Sequence, residues 1–246
     1  MADPAQLSLV VLGALVAGFV NGFAGFGTAL VASGFWFLVL PAPLVPPLLV
    51  ISAVAGQIVG MIRLKAQLDW RKGRWLVSGG VPGVPLGTAA LVAARPEALK
   101  LVMGLVLLAY VAAQGSRAAK WRLPPRADGW ADRLVGFVGG VLGGFGGVSG
   151  PPPLVWLQLR GLTGPEARAR YQPFNFAILS LSLAAMTLAG RVTPEVLLWA
   201  ALTVPLSILG ALIGLRAWHG ASDTLFRRAV LALLALSGAV LVAQAL

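Results

Sequence analysis

The sequence predicts an all-α integral membrane protein. It is read as two inverted-topology repeats, each a glycine-broken segment, re-entrant or discontinuous, followed by three transmembrane helices. Three observations carry this. Of 246 residues 58% are hydrophobic and 11% charged, against about 45–50% and 25% in soluble domains. Charge-poor runs such as Leu7–Leu40, Leu197–Leu215 and Ala229–Leu246 approach or exceed the ~18–20 residues that span a bilayer as helix. Glycine clusters at corresponding places in the two halves interrupt the longest apolar runs. So apolar a chain is not a soluble enzyme, a secreted domain or a disordered regulator.

Apolar segments fall near 7–40, 43–62, 75–94, 98–115, 133–159, 172–190, 194–216 and 225–245. All read as helix, because an open sheet cannot span lipid and barrel-type alternation is missing. The basic stretch containing Pro124-Pro125 divides the chain into a first repeat, 1–115, a basic cytoplasmic linker, 116–132, and a second repeat, 133–246. The halves match at two places. Ala24-Gly25-Phe26-Gly27 aligns with Gly143-Gly144-Phe145-Gly146, and Pro82 and Gly87 align with Pro205 and Gly210 at equal spacing. Internal symmetry of this kind marks many transporter folds.

Charge sets the expected topology. Arg63, Lys65, Arg71, Lys72 and Arg74 outweigh Asp69 in one loop. Arg117, Lys120, Arg122, Arg126 and Arg133 outweigh Asp128 and Asp132 in the linker. Arg160, Arg168 and Arg170 outweigh Glu166, and Arg216, Arg227 and Arg228 outweigh Asp223. If the first and fifth segments cross fully, these basic loops divide between the two faces. If both segments fold back, all four lie on one face, as the excess of Lys and Arg in cytoplasmic loops requires. Both termini are then outside and the halves are inverted. The hairpin arms are expected at about 12–15 residues, or ~18–22 Å of helix, so their tips meet near the midplane. The net charge of +11 is thus loop charge, and nucleic acid is not an expected partner. The N-terminus lacks the basic region of a cleaved signal peptide.

Non-helical backbone at membrane depth survives only against protein or a wet cavity. The tips are Asn21–Thr28 and Gly143–Gly150. Thr28 reads as N-cap of one following half-helix, Ser149 or Gly150 as N-cap of the other, and Pro151 suits its first position. Two helix N-termini aimed at the centre would bind an anion through free N–H groups without a basic side chain. Close helix packing explains most of the 31 glycines, for example Gly136/Gly140/Gly144, but not the dense clusters. Among the few polar residues in the spans, Asn21, Gln57 and Asn175 are the leading amide donors, with Ser52, Gln172, Ser180 and Ser182 behind them. Interhelical hydrogen bonding is the competing role for each.

The motifs Gly22-Phe23-Ala24-Gly25-Phe26-Gly27 and Gly143-Gly144-Phe145-Gly146-Gly147-Val148-Ser149-Gly150-Pro151, with the duplicated layout, resemble the sulfite exporter TauE/SafE family of permeases. The resemblance covers essentially the whole chain. It implies export of a small sulfur-containing oxyanion, sulfite or an organosulfonate, across a bacterial-type inner membrane. Thr28 and Ala29 depart from the longer glycine run common after the first motif. The expected substrate-binding set is Asn21, Gly25, Phe26, Gly27, Thr28, Gln57, Gly144, Phe145, Gly146, Gly147, Ser149, Gly150 and Asn175. The expected partners are a small anion and the lipid bilayer, with a homodimer left open, and no cofactor or metal is expected.

Two rivals stand beside a permease. An anion channel would also accept paired half-helices. An intramembrane serine hydrolase would use Gly147-Val148-Ser149-Gly150, but Pro151 breaks the G-x-S-x-G pattern and His219, the only histidine, sits beside a basic loop. The chain is therefore not expected to be an enzyme. No carboxylate within the spans offers a proton relay.

Overall fold

The computed structural model describes residues 3–65, 68–115, 129–162, 164–217 and 223–246. Residues 116–128 of the basic linker and His219 lie outside them, whereas 129–132 fall within α6. The elements are α1 Pro4–Ala24, α2 Thr28–Val39, a short 3-10 turn Ala42–Leu44, α3 Val45–Arg63, α4 Trp70–Ala93 and α5 Pro96–Gly115. They continue as α6 Gly129–Gly146, α7 Pro151–Leu159, α8 Gly164–Leu188, α9 Pro194–Ala217 and α10 Asp223–Ala243. Among the described residues, five helical stretches are long and apolar enough to cross a membrane: α1, the 3-10 turn with α3, α4, α5 and α9.

Local chemistry explains the helix starts. Proline fills the first helical position of α1, α5, α7 and α9, where a missing N–H costs no intrahelical bond. Asp3 accepts from the amide of Ala5 at 3.2 Å. Asp69 accepts from the amide of Lys72 at 3.0 Å, and that backbone hydrogen bond holds its carboxyl below the usual carboxylate range. α4, α6 and α8 each begin earlier than the apolar segments at 75, 133 and 172. The early turns are charged and helical together because their charges find partners. Asp132, assigned to the linker by sequence, accepts from Trp156 Nε1 at 2.7 Å and Arg160 Nη1 at 3.0 Å.

Those last contacts put the end of α7 beside the start of α6. Likewise Gln6 Nε2 donates to Val39 O at 2.8 Å and Trp36 Nε1 to Val10 O at 3.2 Å, so α2 runs back along α1. The arms differ in length from the expected 12–15 residues: α1 has 21 and α2 12, while α6 has 18 and α7 9.

Two glycine-lined crossings hold these pairs in place. α1 packs on α9, and α6 packs on α4. A methyl group added at Gly22 would land on the Ala211 carbonyl, and one at Gly214 on the Phe19 carbonyl. At the other crossing, Gly144 meets the Val84 carbonyl and Gly83 the Phe137 carbonyl. Backbones this close leave room only for hydrogen, the small-residue packing expected in lipid. The two crossings also correct the sequence register. Gly83 and Gly87 take the parts of Gly210 and Gly214, so the Pro82–Gly87 match to Pro205–Gly210 is displaced by one helical turn. A helix repeats its face at that interval, which is why the displaced match looks equally good.

α3 and α8 pack on each other at the centre, and α10 closes one side against α5 and α2. Trp36, Phe37, Phe174, Leu48 and Leu49 are fully buried, whereas Leu188, Leu198 and Leu236 are exposed on the outer surface, as lipid contact requires. We expect Gly144→Ala to destabilise the protein by about 1–3 kcal/mol, seen as a lower thermal midpoint in detergent. Gly115→Ala, which meets nothing within 4 Å, should leave it unchanged or slightly higher.

Candidate functional site

The first break begins at Gly25, whose φ of 75° suits glycine and whose amide closes α1 onto Asn21 O at 2.7 Å. Gly27, at φ 105°, precedes α2 and provides no side-chain cap. The amides of Thr28, Ala29 and Leu30 consequently find no acceptor among the described residues. In the second break Gly147 has φ 75°, and its amide bonds Gly143 O at 2.8 Å. Gly147 is thus the counterpart of Gly25, and the sequence match of Gly25 to Gly144 is three residues out of register.

The two following helices are not equivalent donors. α7 opens with Pro151-Pro152-Pro153, so its first turn has no N–H to offer. This corrects the expectation of two matching N-terminal amide sets. The second tip retains only the Ser149 and Gly150 amides and the Ser149 hydroxyl.

The tips touch. A Cβ at Gly150 would meet Phe26 Cβ at 2.9 Å, and one at Gly147 would meet Ala29 Cβ at 3.5 Å. Between them lies a cavity of about 10 Å³, room for roughly one water. Of the thirteen residues expected from sequence, Asn21, Phe26, Gly27, Thr28, Gln57, Gly147, Ser149, Gly150 and Asn175 line it. Gly25 stands behind it and presents its carbonyl to side chains. Gly144 is spent on the α4 crossing, Phe145 is buried in the hydrophobic core, and Gly146 faces Met103, whose Sδ would lie 2.7 Å from an added Cβ. Sequence similarity between glycine runs could not separate these packing positions from the break itself. Ala29, Ala53, Val148 and Leu179 also line the cavity and carry no polar signal by which sequence could have found them.

Side chains from α3 and α8 tie the tips together. Gln57 Nε2 donates to Asn21 Oδ1 and Gly25 O, both at 2.9 Å. Ser149 Oγ donates to Asn175 Oδ1 at 3.1 Å, and Asn175 Nδ2 reaches Gly25 O at 3.5 Å. Ser149's hydrogen-bond partner is therefore an amide, which cannot take up a proton as a catalytic base must. Three buried polar atoms of the cavity residues have no partner among the described residues: Thr28 Oγ1, Asn21 Nδ2 and Gln57 Oε1. Ser52 instead shares a hydrogen bond with Thr203 at 3.1 Å and serves helix packing. Among the described residues no three His, Cys, Asp or Glu side chains gather where they could hold a metal.

Arg168 is the residue that sequence reasoning misplaced. Counted as loop charge, it lies on α8 and is only 3% exposed. Its Nε donates to Gln172 Oε1 at 2.8 Å, Nη1 to Phe23 O at 3.0 Å and Nη2 to Gly22 O at 2.9 Å. Tyr171 donates to Ala24 O. With Gln57 on Gly25 O, the carbonyls of residues 22–25, orphaned where α1 ends, are all taken, and a cation sits at the negative end of the α1 dipole. The spacing Arg168, Tyr171, Gln172, Asn175 is one helical stripe, a signal that a longer helix assignment would have exposed. At the second break, among the described residues, an added Cβ at Gly147 would meet Val50 at 3.0 Å and Ala29 at 3.5 Å, not a basic side chain.

Removing Arg168 would strand three buried acceptors. Arg168→Ala should cost at least about 3 kcal/mol, and Arg168→Lys, which keeps the charge but loses the planar fork, should fall between it and the unaltered protein. Thermal unfolding in detergent measures both.

The description "Sulfite exporter TauE/SafE" belongs to the family model that matches residues 10–241. No curated protein sequence and no solved structure matches the chain. With nearly its whole length matched and its helices arranged around a buried polar centre, the chain belongs to the sulfite exporter TauE/SafE family of membrane permeases.

Proposed function

We propose that the protein exports a small sulfur-containing oxyanion, of the sulfite or organosulfonate type, through a site formed where the two breaks meet. One observation carries the reading: the free amides of Thr28–Leu30 and the unpartnered Thr28 hydroxyl line the same buried cavity as Ser149, Gln57 and Asn175. The α2 N-terminus contributes about half a positive charge. Arg168 is occupied by α1, so this site suits a singly charged anion held loosely enough to be released. A cavity with room for one water does not hold an oxyanion, so binding requires the tips to separate.

The hairpins α1–α2 and α6–α7 are proposed to be re-entrant and to enter from opposite faces, with the halves 1–115 and 133–246 as inverted repeats. The likeness of the α1–α9 and α4–α6 crossings supports this, and fold-back of both segments is the arrangement that would bring all basic loops to one face. Those loops would then face the cytoplasm of a bacterial-type cell.

We expect Thr28→Val and Ser149→Ala each to weaken the apparent affinity for sulfite by roughly tenfold, because a hydrogen bond to a charged group contributes about 1.5 kcal/mol or more. Efflux of labelled sulfite from proteoliposomes measures this. Normal efflux by the double variant would overturn the site. Saturation and counterflow mark a carrier, whereas a large unitary conductance would establish the channel reading.

A further inference from the structure

A second cavity, about 260 Å³, adjoins the central one. It reaches Gln114 at the end of α5, Gln158 near the end of α7 and Gly164 at the start of α8, so it extends toward the end of the molecule where α5 stops and α8 starts. The two cavities have Phe26, Gly27 and Leu30 in common. Phe26 is the largest side chain of the three and is 8% exposed. Its ring meets Tyr110 and Tyr171 edge-on, each with centroids 5.9 Å apart. Its backbone is flanked by Gly25 and Gly27, both at positive φ, a pair able to absorb the dihedral changes of a hinge.

We propose that Phe26 is the barrier between this vestibule and the transport site, and that it sets the size of the anion admitted. Its place between the two cavities makes Phe26 a gate residue. Edge-on packing against two tyrosines holds the ring closed without a covalent or ionic lock. The hinge lets it leave when an anion arrives from the vestibule. Tyr171 donates its hydroxyl to Ala24 O, so the tyrosine against which the ring closes is itself fixed to the first break. This inference rests on reading the central cavity as the transport site.

The chain contains no cysteine, so single introduced thiols report accessibility cleanly. Thr28→Cys should react slowly with a membrane-impermeant methanethiosulfonate. In the Phe26→Ala background it should react roughly tenfold faster or more, since labelling of a closed site follows the population of its open state. Gln158→Cys, in the vestibule, should react equally in both backgrounds. Equal labelling of Thr28→Cys with and without Phe26 would overturn the barrier. This test needs no substrate, so it succeeds or fails independently of which anion is carried. In proteoliposomes the ratio of benzenesulfonate to sulfite flux should rise in Phe26→Ala; an unchanged ratio despite faster labelling would overturn the size filter. Should Phe26→Ala not fold, Phe26→Leu, which stays apolar but is smaller, carries both comparisons.

Discussion

A chain that breaks its helix inside a bilayer must satisfy the exposed backbone from within the protein. The rest of this structure follows from how that demand is met at residues 25–27. On the carbonyl side it is met in full: Arg168 takes Gly22 and Phe23, Tyr171 takes Ala24, and Gln57 takes Gly25. On the amide side it is not met, and Thr28, Ala29 and Leu30 are left as donors beside an unpartnered hydroxyl. One break thus gives a rigid end and a receptive end. The rigid end anchors α1 to α8, and the receptive end faces the cavity.

The glycine crossings make this arrangement reachable. α1 could not bring its break to Arg168 if side chains held it away from α9, and Gly18, Gly22, Gly210 and Gly214 remove them. The same device seats α6 against α4. Glycine therefore has two roles along one helix: packing at Gly18 and Gly22, then chain reversal at Gly25 and Gly27. Only the second requires a left-handed backbone, and only Gly25, Gly27 and Gly147 show it near the centre.

The two breaks are chemically unequal. The first break has a cation over its carbonyls and free amides after it. The second has Val50 in the corresponding place and three prolines after it. The cavity therefore receives free helix-start amides from the first break only, while the second tip brings a hydroxyl and the Ser149 and Gly150 amides to it.

Much of this was legible in the sequence because lipid imposes few solutions. Apolar runs of spanning length can only be helices, and dense glycine at 22–27 and 143–150 marks where those helices falter. Of the polar residues stranded in apolar runs, Gln57 bonds Asn21, and Gln57 and Asn175 converge on the Gly25 carbonyl. Tertiary structure decided what a one-dimensional pattern cannot carry. Helical periodicity makes matches one turn apart indistinguishable, so the register of the repeat came only from which carbonyl each glycine meets. Charge reads as loop until a buried acceptor is seen, so Arg168 emerged only once α1 delivered its bare carbonyls to it. Composition thus determined the solvent and the elements; three-dimensional proximity determined the partners, because hydrogen bonding depends on distance in space and not on separation along the chain.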